Sequence, residues 1–453
     1  MKIYSISENE KIKKLISNRK INISIFGMGK MGLPLACVFA EKGFTVIGVN
    51  TNQDTAAKIN RGENPIVGEE GLDDLLKKVV KNKKLSVTTD GIDAVGKTDL
   101  VIIIVPTLVD ENKKPDLSAL ESVCKNIGKG MKKGTLVILE STVPPGTSEG
   151  LVRKILEQES NLKAGLDFGI AFCPERTNSG TAVSDIKGRI NPKIIGGFDE
   201  KSTFIASLLY ETINKNGVIT VSNLKVAEMI KIAEMVYRDV KISYANSLAL
   251  ICDQLKIDAK EVIRGANTDA GCQIMNPGPG VGGHCIPVYP YFIFDKVNKH
   301  TEVIKSARAI NDEMPNFTVK FVEDVLTEKG KKIKDSNILV MGITYRGNVK
   351  EIRYSSALVI YKILSKKAKK VYAFDPLFSK KEIENMGLVF KNDYRGIDCI
   401  VITALHDSFK KLNFDVMGKV MRTKTFVDTS TFFDVLKIKK SGFTVKSIGL
   451  YLN

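Results

Sequence analysis

The stretch Ile21-Asn-Ile-Ser-Ile-Phe-Gly27-Met-Gly29-Lys-Met-Gly32 decides how the first part of this chain folds. A β-branched run leads directly into Gly-x-Gly-x-x-Gly, and a helical pattern follows as far as Glu41. In this motif the first glycine permits a tight turn, the second lets a diphosphate reach the backbone, and the third allows close packing of helix on strand. The phosphates then lie against free amide groups at the helix N-terminus. Strand, glycines and helix together predict a dinucleotide-binding domain.

The residue that ends the second predicted strand departs from the usual pattern of such domains. Thr45–Val49 is followed by Asn50, where an acidic side chain commonly binds the adenosine ribose hydroxyls. An asparagine can still hydrogen-bond to a ribose, but it does not repel a 2′-phosphate as a carboxylate would. We expect NAD as the cofactor, and the use of NADP stays open.

Strand-like and helix-like patterns alternate through most of the chain. The strand-like runs are Ile21–Phe26, Thr45–Val49, Leu100–Val105, Thr135–Leu139, Phe168–Phe172, Ile338–Met341, Lys370–Phe374, Cys399–Thr403 and Thr425–Asp428. Between Asn223 and Asp258 the apolar residues follow a helical period without glycine or proline, which predicts one long helix. We therefore predict an α/β protein with two Rossmann-like, doubly wound parallel-sheet domains joined by a long central helix.

The composition is that of an ordinary globular protein, and it excludes several classes. Hydrophobic residues make up 43% of the 453 residues, and no apolar run is long enough to span a bilayer. The net charge of +17 comes from lysines spread along the whole chain, so we expect a basic surface and no nucleic-acid partner. Seven scattered cysteines and three distant histidines predict reduced thiols, a cytoplasmic protein and no metal site.

A second glycine-rich segment carries one thiol. It reads Asn276-Pro-Gly-Pro-Gly-Val-Gly-Gly-His-Cys285-Ile-Pro-Val288. Glycine lets a ligand approach the backbone, and proline restricts the loop around it. A flexible linker would not need such dense prolines, so the segment predicts a rigid loop that presents Cys285. The alternative is a tight turn before a helix, with an incidental cysteine.

With both segments in view, the chain resembles the UDP-glucose/GDP-mannose dehydrogenase family, and within it the UDP-N-acetylmannosamine dehydrogenases. The markers of this resemblance are Val105-Pro-Thr107, Glu140-Ser-Thr-Val-Pro-Pro-Gly146, Cys173-Pro-Glu-Arg176, Tyr237-Arg-Asp-Val240, the Cys285 loop, Ala307-Arg-Ala-Ile-Asn311 and Gly342-Ile-Thr-Tyr-Arg346. The resemblance implies an NAD-binding Rossmann domain over residues 21–215, a helical dimerisation domain over 216–325 and a UDP-sugar-binding α/β domain over 326–453. Residues 1–20, polar and rich in lysine, are expected to form a basic surface helix or arm. A homodimer or a dimer of dimers is expected.

Members of the family oxidise a sugar CH2OH group to a carboxylate with two NAD, and the resemblance implies this reaction at C6 of UDP-N-acetyl-D-mannosamine. A thiol keeps the aldehyde bound as a thiohemiacetal, whose oxidation gives a thioester that water hydrolyses. Cys285 matches that thiol. Lys231 matches a lysine that handles the substrate hydroxyl and the oxyanion, and Glu175 matches a carboxylate that activates water. Without the family, Lys231 would be a solvated lysine, and Glu175 would pair with a loop arginine, Arg176 or Arg189.

The resemblance also implies binding residues. For the cofactor these are Gly27, Gly29, Lys30, Met31, Gly32, Asn50, Thr107 and Thr142. For the nucleotide sugar they are Arg176, Thr177, Lys231, Arg238, Gly282, Tyr345, Arg346 and Arg353. Arginine suits a diphosphate because its planar donors pair with two oxygens at once. The choice of an acetamido sugar rests mainly on Arg238, seven residues after Lys231 on one face of the predicted helix.

Three positions depart from the family. Asn50 replaces the ribose-binding acid, Met235 stands where relatives commonly have an asparagine, and Tyr289 where many have an aspartate. Three alternatives stay open: the same oxidation of UDP-N-acetylglucosamine, a two-electron dehydrogenase of the β-hydroxyacid type, and a nucleotide-sugar-binding paralogue of low activity. The β-hydroxyacid type is disfavoured, because such an enzyme needs neither the Cys285 loop nor a second α/β domain.

Overall fold

The computed structural model describes residues 2–450, which form two compact units. The first comprises the residues up to Glu234 together with Tyr291–Asn298, and the second comprises Met235–Pro290 together with the residues from Lys299 onward. One helix of 32 residues, Leu224–Leu255, runs from the first unit into the second. Each unit is built around its own sheet.

The sheet of the first unit is mostly parallel. The strands of this unit are β1 (Asn22–Phe26), β2 (Thr45–Val49), β3 (Leu85–Thr88), β4 (Leu100–Ile103), β5 (Leu108–Val109), β6 (Pro115–Asp116), β7 (Leu136–Leu139), β8 (Gly169–Phe172), β9 (Lys193–Gly197) and β10 (Val218–Val221). The sheet has the order β10-β9-β8-β7-β4-β1-β2-β3, and its neighbours are parallel except for β8 and β9. β5 and β6 form a separate antiparallel pair. β4 and β7 are buried along their whole length, which is the pattern of a sheet covered on both faces.

Helices connect these strands. They are α1 (Asn9–Ser17), α2 (Gly32–Glu41), α3 (Gln53–Asn60), α4 (Leu72–Lys81), α5 (Gly91–Lys97), α6 (Ser118–Gly130), α7 (Arg153–Ser160), α8 (Ala182–Ile186) and α9 (Glu200–Glu211), followed by α10 (Leu224–Leu255). In α4 the buried residues Leu72, Leu75, Leu76 and Val79 recur at helical spacing, so one apolar stripe packs inward. α2 is different, since it is buried from its first residue to Ala40 and carries no charge before Glu41.

Residues 2–20, which belong to the segment expected as a basic surface helix or arm, pack onto the first unit. α1 buries Ile12 and Ile16, four residues apart on one face, while its lysines are exposed. Ahead of it the Tyr4 hydroxyl donates a hydrogen bond to Asp199 at 2.7 Å. The lysines of α1 therefore lie on the outer side of a docked helix, whereas Lys2 is partly buried and donates to the carbonyl oxygens of Val95 and Thr98.

The second unit holds a parallel sheet with the order β12-β11-β13-β14-β15. Its strands are β11 (Asn337–Met341), β12 (Lys370–Phe374), β13 (Cys399–Ile402), β14 (Thr425–Asp428) and β15 (Thr444–Ser447). The helices after α10 are α11 (Ala259–Ala266), α12 (Tyr289–Phe294), α13 (Glu302–Thr327), α14 (Ser356–Lys367), α15 (Lys380–Asn385), α16 (Phe414–Val420) and α17 (Val435–Lys440).

The predicted fold class is confirmed, with two doubly wound sheets joined by a long helix. Three predicted strands, β2, β12 and β14, have the predicted bounds, and the predicted helix Asn223–Asp258 is a few residues shorter at its ends. The antiparallel step from β8 to β9 was not predicted, because apolar runs carry no information about strand direction. Among residues 2–450, no helix combines the length and the hydrophobicity needed to cross a lipid bilayer.

Candidate active site

The first glycine-rich turn lies where the strand order of the first sheet reverses. β1 has β2 on one side and β4 on the other, and such a reversal leaves a crevice at the carboxyl ends of the strands. Gly27 has a φ of +103°, and a Cβ added there would collide with the carbonyl oxygen of Ile104. A Cβ at Gly32 would collide with the backbone of Gly27. Side chains are therefore excluded at both positions, and α2 packs closely against the turn.

Gly29 differs from the other two glycines because its side-chain direction is open. Apart from Gly29 and its two chain neighbours, no atom of the described chain lies within 4 Å of a Cβ built there, and Gly29 itself is exposed, as is Lys30 beside it. The turn and the first amides of α2 thus leave room for an anionic group, which fits the diphosphate of a dinucleotide.

Asn50 follows β2, at the place expected to face the adenosine ribose. Its side-chain oxygen accepts a hydrogen bond from the backbone N–H of Asn52 at 2.8 Å, and its own N–H donates to the carbonyl oxygen of Thr88 at 3.0 Å. The amide oxygen is used within the turn, so the donor half of the amide is what remains for a ribose hydroxyl.

The loops after β4 and β7 are tied together by side-chain hydrogen bonds. The Ser141 hydroxyl bonds to both backbone groups of Val105, each at 2.8 Å. Thr107 donates from its hydroxyl to the carbonyl oxygen of Thr142 at 2.5 Å, and both threonines are buried. The structure therefore brings together the two positions expected to contact the nicotinamide half of the cofactor.

A buried ionic cluster adjoins the end of β7. Glu140 accepts a hydrogen bond from the Tyr210 hydroxyl, and one of its oxygens lies 3.6 Å from the Lys193 ammonium. Burial raises the pKa of Glu140, and the charge of Lys193 opposes this. Burial also raises the pKa of the neighbouring Cys173 thiol to about 12. Cys173 is therefore an inert thiol, and the cluster holds the loops after β7 and β8 in place.

The loop after β8 contacts the glycine-rich turn. The carboxylate of Glu175 accepts a hydrogen bond from the backbone N–H of Thr177, which shapes the loop. The Thr177 hydroxyl lies 3.0 Å from the sulfur of Met31, inside the Gly-x-Gly-x-x-Gly turn. Expected cofactor and substrate positions thus meet within the first unit.

Arg176 and Glu175 do not pair with each other. The Arg176 guanidinium forms an ion pair with Glu234 on α10 at 2.6 Å, and it also donates to the carbonyl oxygen of Pro192 at 3.3 Å. Arg189, the other expected partner of Glu175, pairs with Asp185 at 2.7 Å. The ion pair considered as an alternative role for Glu175 is therefore not formed within residues 2–450.

Lys231 lies on the part of α10 that belongs to the first unit. It is only 5% exposed, so it is not a solvated lysine. Within the described part of the chain its ammonium has no hydrogen-bond or ion-pair partner. A lysine held away from solvent without a partner in the chain is a candidate for contact with a ligand.

The helix around Lys231 is anchored one turn earlier. Glu228 is fully buried and accepts hydrogen bonds from the backbone N–H groups of Gly146, at 2.5 Å, and Ser148, at 2.8 Å. Burial raises the pKa of Glu228. Four residues after Lys231, Met235 is buried and offers no donor. The hydrogen bonds to Glu228 tie α10 to the Pro-Pro-Gly loop after β7.

The Cys285 loop belongs to the second unit and packs on the segment after β11. The N–H of Gly283 donates to the carbonyl oxygen of Arg353 at 2.9 Å. A Cβ at Gly282 would lie 2.8 Å from the Cβ of Tyr345, and one at Gly283 would lie 3.1 Å from its ring. Burial raises the pKa of Tyr345, and the charge of Arg346 opposes this. The glycines therefore let the loop carry a partly exposed Cys285 close to Tyr345.

A second set of buried groups holds the turn after β11. Asp375 accepts hydrogen bonds from the backbone N–H of Ile343 at 2.8 Å and from that of Thr344 at 3.3 Å. The buried His406 lies 3.0 Å from the same carboxylate and accepts the N–H of Asn348 on its Nδ1 atom at 3.0 Å. His406 therefore carries its proton on Nε2 and donates it to Asp375.

The expected site residues fall into two sets. Lys231, Glu175 and the cofactor positions lie in the first unit, whereas Cys285 and the expected positions Arg238, Gly282, Tyr345, Arg346 and Arg353 lie in the second. The arginines of the second set are exposed. Four further buried residues that shape the site were not predicted; they are Lys193, Tyr210, Asp375 and His406. Each is an isolated polar residue whose partner is distant along the chain, so the sequence gives no signal for it.

Three segments of the chain match one family. Residues 21–214 match the NAD binding domain of the UDP-glucose/GDP-mannose dehydrogenase family, residues 225–313 its central domain, and residues 339–435 its UDP binding domain. The first segment contains the glycine-rich turn, and the second contains both Lys231 and Cys285.

Curated relatives match over nearly their whole length. The chain is 35% identical over 429 residues to the UDP-N-acetyl-D-mannosamine dehydrogenase of Pyrococcus horikoshii, covering 95% of this chain and 99% of the relative. It is 36% identical over 425 residues to the enzyme of the same name from Campylobacter jejuni, covering 91% and 98%.

Solved structures agree with this. The structure of the Pyrococcus horikoshii enzyme superposes with a TM-score of 0.87 at 34% identity, covering 95% of this chain and 99% of that one. The NDP-N-acetyl-D-galactosaminuronic acid dehydrogenase of Methanosarcina mazei Go1 gives a TM-score of 0.84 at 31% identity, covering 99% and 98%. The chain belongs to the UDP-glucose/GDP-mannose dehydrogenase family of oxidoreductases, and its first domain is the NAD binding domain of that family.

Proposed function

We propose that the protein oxidises UDP-N-acetyl-D-mannosamine at C6 to UDP-N-acetyl-D-mannosaminuronate, with NAD as the acceptor. The single observation that carries this proposal is the Cys285 loop. Five of the seven cysteines are buried, whereas Cys285 is partly exposed in a glycine-lined loop against Tyr345. The names of the relatives from Pyrococcus horikoshii and Campylobacter jejuni support the choice of sugar.

The open side of Gly29 and the amides of α2 are suited to the NAD diphosphate, with Lys30 and Met31 in the same turn. Bound there, NAD accepts a hydride in each of two successive oxidations. Thr107 and Thr142, locked to each other by a hydrogen bond, would fix the nicotinamide end. NADP is a second possible acceptor, since Asn50 does not repel a 2′-phosphate.

The Cys285 thiolate would add to the carbon of the aldehyde formed by the first oxidation, and the new C–S bond gives a thiohemiacetal. Loss of a hydride from that carbon and of the hydroxyl proton then leaves a thioester. Attack by water breaks the C–S bond and releases the carboxylate, and Cys285 leaves again as a thiolate. The aldehyde is never free in this sequence.

Lys231 and Glu175 supply the proton transfers of this scheme. The buried side chain of Lys231, as a neutral amine, would accept the proton of the C6 hydroxyl, and as an ammonium it would stabilise the oxyanion. Glu175, which pairs with neither nearby arginine, would accept a proton from the attacking water. Glu140 is less suited to this, because Tyr210 and Lys193 already engage it.

The nucleotide half of the substrate would bind mainly to positively charged groups. Arg238, Arg346 and Arg353 are exposed and suited to the diphosphate, and Tyr345 and Gly282 form the adjoining wall. Arg176 would contribute through the donors that Glu234 and the Pro192 carbonyl oxygen leave unused. Thr177 lies in the same loop.

The test is a stoichiometry measurement. Purified protein with excess NAD and limiting UDP-N-acetyl-D-mannosamine should form about two NADH per sugar, as a four-electron oxidation requires. Cys285→Ser should lower turnover by about 10³ or more, because the aldehyde can no longer be held as a thiohemiacetal. Cys272→Ser is the matched control, since Cys272 is the other partly exposed cysteine, and it should keep the activity of the unchanged protein.

Other outcomes would select other functions. Oxidation of UDP-N-acetylglucosamine alone, or of the galactosamine epimer suggested by the Methanosarcina mazei relative, would make the mannosamine assignment wrong. About one NADH per sugar would indicate a two-electron dehydrogenase. Tight binding of the UDP-sugar with no formation of NADH would indicate the binding paralogue. The loss of activity would then be explained by the buried Met235 and Tyr289, which stand where relatives have an asparagine and an aspartate.

We also propose that α10 pairs with its counterpart in a two-fold homodimer, which can assemble further into a dimer of dimers. Met229, Tyr237, Tyr244, Ile251 and Leu255 are exposed apolar residues spaced by seven or eight, or by four, along this helix. Such spacing places them on one face, which is costly to leave in water. Sedimentation at micromolar concentration should show a dimer, and Tyr244→Lys with Ile251→Lys should give a monomer. A monomer without these substitutions would contradict the proposal.

A further inference from the structure

A buried chain of hydrogen bonds in the second unit connects two helices to the Cys285 loop. On α10 it contains Asp239 and Asn246, both fully buried, and on α13 it contains Asn311, which is 1% exposed. The side-chain amide of Asn311 donates to the Asp239 carboxylate at 2.8 Å and to the Asp239 carbonyl oxygen at 3.0 Å. The amide of Asn246 donates to the Asn311 side-chain oxygen at 2.9 Å. We call Asp239, Asn311 and Asn246 the relay.

The relay ends on the loop. The side-chain oxygen of Asn246 accepts the backbone N–H of Gly278 at 2.9 Å, seven residues before Cys285. Two residues further on, a Cβ at Gly280 would lie 2.6 Å from the hydroxyl of Ser356 and 3.2 Å from the carbonyl oxygen of Asn311. The N–H of Gly283 is bonded to Arg353. The loop is thus held at its start by the relay and near Cys285 by the segment after β11.

The carboxylate of Asp239 sets the direction of the whole chain. A carboxylate only accepts, so Asn311 must turn its NH2 group towards Asp239 and its oxygen towards Asn246. Asn246 must then turn its NH2 group towards Asn311, which leaves its oxygen for Gly278. Burial raises the pKa of Asp239, and the charge of Arg308, which is 3% exposed and pairs with Asp239 at 2.5 Å, opposes this.

We propose that the relay is a positioning device that fixes the start of the Cys285 loop, and so the approach of its thiol to the substrate. The proposal rests on the proposed function, because it gives the loop geometry its purpose. Asp239, Asn246 and Asn311 act through the backbone of the loop and do not touch the reacting atoms. The Tyr-Arg-Asp-Val and Ala-Arg-Ala-Ile-Asn stretches noted in the sequence thereby acquire a common role.

The experiment measures the reactivity of Cys285 in the full chain. Asn246→Ala, Asn311→Ala and the double variant are treated with iodoacetamide, and alkylation is followed by mass spectrometry at the Cys285 peptide, with the Cys272 peptide as internal reference. Each single variant should alkylate Cys285 about tenfold faster than the unchanged protein, as loss of its buried hydrogen bonds frees the loop. Where the enzyme turns over, kcat should fall about tenfold and the KM for NAD should not change.

The double variant distinguishes a relay from two separate contributions. If Asn311 acts through Asn246, the double variant should alkylate Cys285 about as fast as either single variant, and not about a hundredfold faster. Additive effects would overturn the relay. Gly278→Pro removes the N–H that donates to Asn246 and places a ring carbon where that hydrogen points, so it should speed Cys285 alkylation at least as much as Asn246→Ala does. Gly278→Ala keeps the N–H, has open space for its Cβ, and should leave alkylation unchanged.

Asn214→Ala is the matched control for general destabilisation. Asn214 is also a buried amide with two hydrogen bonds to backbone oxygens, but it lies in the first unit. It should lower the melting temperature and leave Cys285 alkylation unchanged. If Asn246→Ala only lowers the melting temperature, the positioning role is wrong. Because alkylation does not depend on turnover, this result stands apart from any failure of the proposed reaction.

Discussion

The turn after β1 and the turn after β11 occupy the same place in two different sheets. Each comes after a strand at which the strand order reverses, and each begins with a glycine of positive φ, +103° at Gly27 and +85° at Gly342. In both, a Cβ on that glycine would collide with the carbonyl oxygen of a residue just past the neighbouring strand, Ile104 or Ala404. Both turns therefore need a glycine at this position, for its positive φ and for its lack of a side chain.

The two turns differ in the segments that come after them. After β1 the helix α2 begins at Gly32, and Gly29 faces open space, so the amides can receive a ligand. After β11 the next helix begins only at Ser356, and Asp375 already binds the turn's amides. Asp375 directly follows β12, as Asn50 directly follows β2. The first unit thus leaves the amides of its turn free, while the second binds them with its own carboxylate and continues into a loop of side chains.

The largest expected effect on stability is at Gly32, the third glycine of the first turn. Gly32→Ala should lower the free energy of unfolding of the first unit by about 3 kcal/mol, because the added Cβ meets the backbone of Gly27. Gly29→Ala is the matched control: it should leave calorimetric unfolding unchanged but weaken NAD binding about tenfold. Equal destabilisation by both would show that Gly29 is not the open side of the turn.

A somewhat smaller effect is expected at the end of the second strand in each sheet. Asp375→Ala should cost about 2 kcal/mol, because it leaves two buried amides and His406 without their acceptor. Asn50→Ala, in the equivalent place of the first sheet, should cost well under about 1 kcal/mol, since it removes one exposed turn hydrogen bond. Thermal unfolding of the pair measures the difference. Similar losses would mean that both turns are closed by their own side chains.

The smallest expected effect comes from giving the first unit the acidic residue that other dinucleotide-binding domains have after the second strand. Asn50→Asp should lower the KM for NAD about fivefold, because a carboxylate accepts hydrogen bonds from both ribose hydroxyls. It should raise the KM for NADP, since the carboxylate repels a 2′-phosphate. Initial rates with each cofactor give both values. An unchanged preference would place the ribose away from this position.

Part of the site could be predicted from local sequence signals and part could not. Gly27, Gly29 and Gly32 were recognisable because their spacing is dictated by one turn, and Cys285 because its loop is dense in glycine and proline. Buried polar residues such as Tyr210 carried no such signal. Their partners are distant in sequence, as the 70-residue separation of Tyr210 and Glu140 shows, and no periodicity marks them. Roles for Lys231 and Glu175 came from the resemblance alone.

The sequence by itself determined the two sheets, the long helix, the cofactor turn and the family, because strand pattern, helical period and glycine spacing are set by neighbouring residues. Only the tertiary structure decided which polar groups are buried and what they bind. It places Lys231 away from solvent, pairs Arg176 with Glu234, and lets Asn246 bind the backbone of the Cys285 loop. Burial and hydrogen-bond partners arise from contacts between distant segments. These contacts are therefore defined only in the folded protein.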